Sequence, residues 1–330
     1  MLCKPLKIKI SVIIPVYNAA TFITDCVESA LEQPETSEVI LVKDGSMDDS
    51  LEICQSLANK FGKVRLLCHP DGVNRGPAAC RNLGMRHSNF DMIALLDADD
   101  FFLPGRFTTA EEIFKLNPGC EGVYEAVGTA YTDEHTERRW RASSETANTL
   151  TSLGEKVEPG ELFQFLVKRG PARIHVDGLT FKRAALDKAG FMNETLGTMS
   201  EDTDFILRLA GVCSLHSGRL QEPVAMRRVH SGNTFWKRGS ETKIYRGSQK
   251  SLKSTYKWFK SHSYKPNAQL ILSKIINQSI RYKHFNISSS RFIPLPILQR
   301  LRLVMLAFEF PQVIANSLYW KKYLPVRLQK

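Results

Sequence analysis

The chain has 330 residues, of which 43% are hydrophobic and 24% charged, with a formal net charge of +11. This is ordinary globular composition, long enough for one large or two modest domains, and it lacks the ~18 uninterrupted apolar residues that a membrane-spanning helix needs. Seven cysteines (Cys3, Cys26, Cys54, Cys68, Cys80, Cys120, Cys213) are scattered without a Cys-x-x-Cys or Cys/His cluster. A reduced, cytoplasmic setting is expected rather than a disulfide scaffold or a zinc site, and the N-terminal residues show no apolar signal-peptide region.

Strand and helix patterns alternate through the first hundred residues as in βαβ units. A strand is expected over 8–14, ended by Pro15, then a helix over 19–33 with Phe22, Ile23, Cys26, Val27, Ala30 and Leu31 on one face. A strand over 38–42 runs into Lys43-Asp44-Gly45-Ser46, followed by a helix over 48–61, a strand over 64–67, a glycine-bearing loop over 71–77 and a helix over 78–87. Met92-Ile93-Ala94-Leu95-Leu96 reads as a strand buried on both faces, followed by a helix opening near Pro104. Beyond it the pattern is mixed: strands over 123–127 and 174–181, loop over 132–158, and helices over 161–168 and 200–210, the last capped by Ser200. After about 231 the apolar spacing is helical, over 270–278 and again over 295–308.

Charge divides the chain. Residues 226–330 hold 21 Lys+Arg against only Glu241 and Glu309, a net +19, whereas residues 1–225 carry a net −8. Tyr256-Lys257-Trp258-Phe259-Lys260 and the segment 317–323 interleave aromatics with lysine, a composition suited to an anionic membrane surface. Two readings stand for this region: peripheral attachment at the inner face of a membrane, or helices that cover the preceding domain while their lysines face solvent. No nucleic-acid motif accompanies the charge, so no nucleic-acid partner is expected.

Three loops at strand ends carry candidate chemistry. Asp97-Ala98-Asp99-Asp100 follows an apolar strand directly, and adjacent carboxylates at that edge need water, donors or a cation. Asp97 and Asp99 can both face a ligand off the carboxyl edge of a parallel sheet, and such oxygens suit Mg²⁺ or Mn²⁺ beside phosphate. The plainer alternative is an acidic loop capping the next helix. Asp44, beside the permissive Gly45, can accept an N–H such as that of a nucleobase, or can simply hold a turn. Asn74-Arg75-Gly76 with Arg81-Asn82-x-Gly84 brings a basic side chain to the same edge, where a diphosphate needs charge compensation.

Taken with Ser11-Val12-Ile13-Ile14-Pro15-Val16-Tyr17-Asn18 before them, and with Glu201-Asp202-x-Asp204 and Arg208 after them, these blocks resemble the family 2 glycosyltransferases. The resemblance spans residues 8 to about 230 and implies the GT-A fold: an α/β, Rossmann-like, mostly parallel sheet flanked by helices. It implies a transferase domain over 1–230 and leaves 231–330 as a basic helical extension. The implied enzyme is inverting, uses a divalent metal (Mn²⁺ or Mg²⁺), and moves a sugar from a nucleotide-diphosphate sugar, with UDP preferred, to a glycan or lipid-linked acceptor in envelope polysaccharide synthesis. Pro15, Tyr17, Asp44, Gly45, Asn74, Arg81, Asp97 and Ala98 would line the donor nucleotide site, and Asp99 would bind the metal. Asp202 matches the catalytic base, with Glu201 and Asp204 as near rivals. His230, in Arg228-x-His230, would approach the diphosphate or metal, or serve structure alone.

Lys43, Cys80 and Met192-Asn193 depart from the family's usual residues, and Asp100 receives no role. A sugar-nucleotide-binding scaffold without turnover is the alternative function, opposed by the intact Asp99 and Asp202. A nicotinamide oxidoreductase is excluded because Pro15-Val16-Tyr17-Asn18 stands where Gly-x-Gly-x-x-Gly would follow the first strand.

Overall fold

The computed structural model describes residues 7–143, 150–170, 173–197, 200–233, 236 and 241–288. The apolar runs near the N-terminus form a parallel array. β1 (Ile10–Val16) lies between β2 (Thr36–Lys43) and β4 (Met92–Leu95), and β2 also pairs with β3 (Val64–Cys68), all parallel. Ile10, Val12, Ile13, Ile14, Val39, Ile40, Leu41 and Leu95 are fully buried, as expected of strands covered on both faces. Pro15 does not end the first strand: extended backbone tolerates its fixed φ, and it stays in register opposite Val42.

Helices α1 (Ile23–Leu31), α2 (Ser50–Lys60) and α3 (Pro77–Arg86) connect these strands. α1 buries Ile23, Cys26, Val27 and Ala30, the expected apolar face. α3 packs directly on β1 because Gly84 faces Ile13, where any side chain would collide with the Ile13 Cγ2 methyl. Every connection returns the chain so that the ends of β1, β2, β3 and β4 share one edge.

The sheet is completed by later strands. β6 (Gly122–Tyr124) and β9 (Leu179–Lys182) pair antiparallel, β9 also runs antiparallel to β4, and β10 (Leu215–Ser217) pairs parallel with β6. The full order is β10-β6-β9-β4-β1-β2-β3. A second sheet has the order β5-β11-β7-β8, from β5 (Phe101–Phe102), β7 (Val127–Tyr131), β8 (Leu150–Thr151) and β11 (Ala225–Val229). The remaining helices of this part are α4 (Thr108–Leu116), α5 (Glu134–Ser143), α6 (Pro159–Arg169), α7 (Ala185–Ala189) and α8 (Glu201–Val212).

The middle of the chain departs from expectation in three places. The strand expected over 123–127 is two, because the chain leaves one sheet at Glu125-Ala126 and enters the other. Only the end of 174–181 is a strand, since residues 176–178 form a 3₁₀ turn. The loop expected over 132–158 contains α5 and β8. α5 is too polar to show an apolar period, and it is held instead by the Asp133 carboxylate on the Thr136 N–H (2.7 Å) and the Arg141–Glu137 pair (2.7 Å).

The chain divides into two units, 1–251 and 252–330. α9 (Glu241–Ser261) runs through the division, and α10 (Lys265–Ser288) contains the expected 270–278 helix, with Ile271, Leu272 and Ile276 buried. Within the second unit Trp258 stacks on His262 at 4.2 Å. The expected helical segment 295–308 and the aromatic-basic segment 317–323 lie outside the described residues. Among the described residues no helix is long and apolar enough to cross a membrane.

Candidate functional site

The loops after β1 and β2 are tied together at the shared edge. Asn18, in a left-handed conformation (φ 47°), donates its N–H to Ser46 Oγ (3.2 Å) and accepts the Met47 N–H on Oδ1 (3.0 Å). Gly45 sits at φ +70°, and a Cβ there would lie 2.8 Å from the Asn74 backbone nitrogen, so only glycine lets the 71–76 loop close over this turn. Asp44 is buried and accepts the Arg75 N–H (2.7 Å) on one oxygen and the Gly76 N–H (2.9 Å) on the other. The Asp44 carboxylate thus anchors the 71–76 loop rather than its own turn, and each carboxylate oxygen keeps a further lone pair. Around this floor, Pro15 is half-buried, Ala98 buried, Asn74 exposed, and Tyr17 half-exposed.

Arg81, on the first turns of α3, joins the two acidic blocks. Its guanidinium donates to Asp97 Oδ1 and, at 2.7 Å, to Asp202 Oδ1, while Arg81 itself is buried. Neighbouring Asp202 and Asp97 outweigh the burial that opposes its charge, so its pKa is raised. Asp97 is pushed up to about 6, because burial and the Asp177 carboxylate outweigh the guanidinium beside it. The strand edge and the α8 terminus, 121 residues apart in sequence, thus meet through one side chain.

The three acids at the start of α8 have separated into different environments. Asp202 keeps about a third of its side chain exposed. Glu201 is buried, accepts the Ser200 N–H (2.8 Å), and is pushed up to about 7 by burial and by Asp202. Asp204 is buried against Arg208 (2.8 Å), whose guanidinium also holds the Ala189 and Phe191 carbonyls. Asp204 and Arg208 therefore fasten α8 to the Gly190-Phe191 turn.

Asp99 Oδ2 lies 3.1 Å from His230 Nε2 and 3.0 Å from Asn233 Nδ2, with the Asp99 side chain 31% exposed. His230 also packs on Phe22, ring centroids 4.7 Å apart. Asp100 points the other way: it is buried and accepts the Arg228 N–H at 2.7 Å, joining the acidic turn to β11. Burial and the nearby Asp177 and Asp99 carboxylates push its pKa well above the usual range, which favours a proton shared with Asp177. Asp97, Asp100 and His175 also bring ligand atoms within 4.8 Å of one another. There, however, Asp97 is engaged by Arg81 and Asp100 by Arg228.

Behind this turn lies a polar strut that sequence reading missed. Asp177 accepts the Asp97 N–H on Oδ1 (3.1 Å), and His175 Nδ1 lies 3.2 Å from the other oxygen. Burial opposes charge on His175, but the Asp177 carboxylate prevails and raises its pKa. Fully buried Arg106 donates Nε to the Asp177 carbonyl (3.0 Å) and pairs with fully buried Glu125 at 2.9 Å. The signal for this strut was a charged residue inside each of two apolar stretches, and nothing local said that they would meet.

Residues 11–164 match the family model described as "Glycosyl transferase family 2". A succinoglycan biosynthesis protein (ExoU) of Rhizobium meliloti is 42% identical over 97 residues, covering 29% of this chain and 28% of that protein. The chain spans about a third or less of the length of such curated relatives. Two solved structures share the fold. S. aureus TarS 1–349, solved with UDP-GlcNAc, superposes with TM-score 0.59 at 17% identity over 97% of this chain and 83% of that one. A mannosyltransferase of Pyrobaculum calidifontis, solved with GDP-Man and Mn²⁺, gives TM-score 0.51 at 17% identity, covering 92% of this chain and 81% of that one. The strand-end blocks, the mostly parallel sheet and the match over residues 11–164 agree, so this part of the chain is similar to glycosyl transferase family 2.

Proposed function

We propose that this protein is an inverting, metal-dependent transferase that moves a sugar from a UDP-sugar to an acceptor hydroxyl in cell-envelope polysaccharide synthesis. The observation that carries the reading is the Arg81 bridge, which holds Asp202 and Asp97 on one guanidinium, at the strand edge that also bears Asp99. The UDP-GlcNAc held by TarS and the biosynthetic role in the name of the R. meliloti relative support the donor and the pathway class. Peripheral attachment at a membrane, through the basic region after about 230, is the part of this reading that rests on charge alone.

In this reading the nucleoside stacks near Tyr17 and Pro15 over the turn of Asp44, Gly45 and Asn74, and Asp44 accepts the base N–H through its spare lone pairs. Asp97, steadied by Arg81 and by Asp177, holds the ribose or sugar hydroxyls, with Ala98 leaving room beside them. Asp202 takes the proton of the acceptor hydroxyl as it attacks, a contribution of ~10²–10⁴ in rate. Arg81 fixes the orientation of that carboxylate. Glu201, which is buried and accepts the Ser200 N–H, supports the α8 terminus. Because base and leaving group lie on opposite sides of the anomeric carbon, the single displacement inverts configuration.

Asp99 and His230 form a donor set that fits Mn²⁺ or Mg²⁺: a part-exposed carboxylate and an imidazole nitrogen side by side. When bound there, the metal supplies Lewis-acid stabilisation of charge on the departing diphosphate. A panel of UDP-, GDP- and dTDP-sugars, scored for nucleotide release with and without Mn²⁺, tests the proposal. Release from a UDP-sugar that falls at least ~10²-fold in Asp99→Ala supports it. Release that ignores both metal and Asp99 refutes the metal role, and no release from any donor favours a non-catalytic binding protein.

A further inference from the structure

The first residue after β3 and the second turn of α3 bring a soft ligand set together beside Asp44. Cys80 Sγ lies 3.6 Å from His69 Nε2, and a carboxylate oxygen of Asp44 completes a group whose ligand atoms all fall within 4.8 Å of one another. All three residues are buried. The separation is that of a thiol–imidazole hydrogen bond and also suits a metal without rearrangement: a tetrahedral zinc with Zn–S of ~2.3 Å and Zn–N of ~2.05 Å sets sulfur and nitrogen ~3.6 Å apart. The donor set of one thiolate, one imidazole and one carboxylate leaves a fourth tetrahedral position open. It differs in kind from the Asp99–His230 pair, which lacks sulfur and suits harder ions.

The surroundings hold these atoms in place. Cys80 packs with Ile40 and Val42 in a small apolar cluster, bordered by Leu67 and Leu83, which restricts the thiol to its present direction. The backbone N–H groups of Arg75 and Gly76 fix the Asp44 carboxylate. No other element of the described structure brings a cysteine sulfur to a histidine nitrogen and a carboxylate in this way.

We propose that Asp44, His69 and Cys80 form a binding site for a borderline-soft divalent cation of the Zn²⁺ class, and that its occupation removes Asp44 from the donor nucleotide. Binding releases the thiol proton to solvent as the sulfur–metal bond forms, so affinity rises with pH. The site itself stands on geometry alone. Its effect on the donor rests on the proposed place of Asp44 under the nucleobase.

The test titrates the full-length protein with Co²⁺, reading the thiolate-to-cobalt charge-transfer absorption, and then displaces it with Zn²⁺. One cobalt per chain with a thiolate band is expected, with affinity falling at least ~100-fold and the band lost in Cys80→Ala and in His69→Ala. Cys80→Ser, which keeps a polar group of similar size, also loses the band, and circular dichroism confirms that it is folded. Absence of a band in the wild type, or a band unchanged in the Cys80 and His69 variants, overturns the site. In a second arm, UDP binding is measured at saturating Mn²⁺ with and without Zn²⁺. Zinc is expected to weaken it at least ~10-fold in the wild type and not in Cys80→Ala. Equal UDP binding in both overturns the coupling while the band still reports the site. Failure of UDP to bind even without zinc counts against the donor reading, leaving the metal site to stand or fall by its absorption.

Discussion

The two halves of the main unit position their candidate site residues in different ways. From β1 to β4, each candidate residue sits at or just past the end of its own strand, in the loop after it or on the helix that follows, so backbone hydrogen bonding and apolar burial place it. From β5 to α8 and β11, the corresponding residues are held by side-chain contacts across long sequence separations: 80 residues from Asp177 to Asp97, 121 from Arg81 to Asp202, 128 from Arg228 to Asp100, and 131 from His230 to Asp99. The first half is therefore fixed by backbone geometry and close packing, whereas the second half depends on charged contacts whose loss is felt at the site.

Four substitutions test this contrast. Asp202→Asn removes the proposed base while keeping an acceptor for Arg81, so the fold should hold while turnover falls ~10²–10⁴-fold; near-normal nucleotide transfer by the purified variant would exclude Asp202 as the base. Arg106→Ala leaves the buried Glu125 carboxylate without its partner and frees the Asp177 carbonyl, with an expected loss of about 3–5 kcal/mol by urea unfolding. Less than about 1 kcal/mol would show that the strut is ornamental to stability.

Glu201 supplies a pH signature. Its ordinary value is 4.5 and its folded one about 7, so between these values the folded chain holds a proton that the unfolded chain has lost. Stability should fall as pH rises through that window, by on the order of 2–3 kcal/mol, and Glu201→Gln should flatten that component of the melting temperature against pH. An unchanged slope in the variant would assign the pH dependence to another group. Gly45→Ala tests the local half: the left-handed φ and the Asn74 backbone together predict a loss of about 1–2 kcal/mol with a weakened UDP affinity. Stability and affinity equal to the wild type would mean that the turn relaxes freely.

The legibility of the chain follows the same division. Asp44, Asp97 and Asp99 were readable because each ends an apolar run whose period announces a strand, and the edge of a parallel sheet has few uses for a carboxylate. The pairing of Asp99 with His230 was left open in sequence and became a contact in the structure. Asp177, Arg106, Glu125 and Asn233 gave no such signal, because a charge inside an apolar stretch does not name its partner. β5, β8, β10 and β11 were also missed, being short strands whose pairing comes from distant segments rather than from their own period. α5 escaped because its stability lies in charge pairs and a cap, not in an apolar face.

Periodicity and the five motif blocks by themselves determined the α/β class, the first four strands with their shared edge and the resemblance to the family, since these depend on interactions within a few residues and on which face must avoid water. Tertiary structure alone decided which of Glu201, Asp202 and Asp204 stays part-exposed on Arg81, what Asp100 bonds to, and that His69 and Cys80 meet beside Asp44. Those outcomes depend on desolvation and on partner geometry. A carboxylate, imidazole or thiol has no fixed environment until the chain has closed around it.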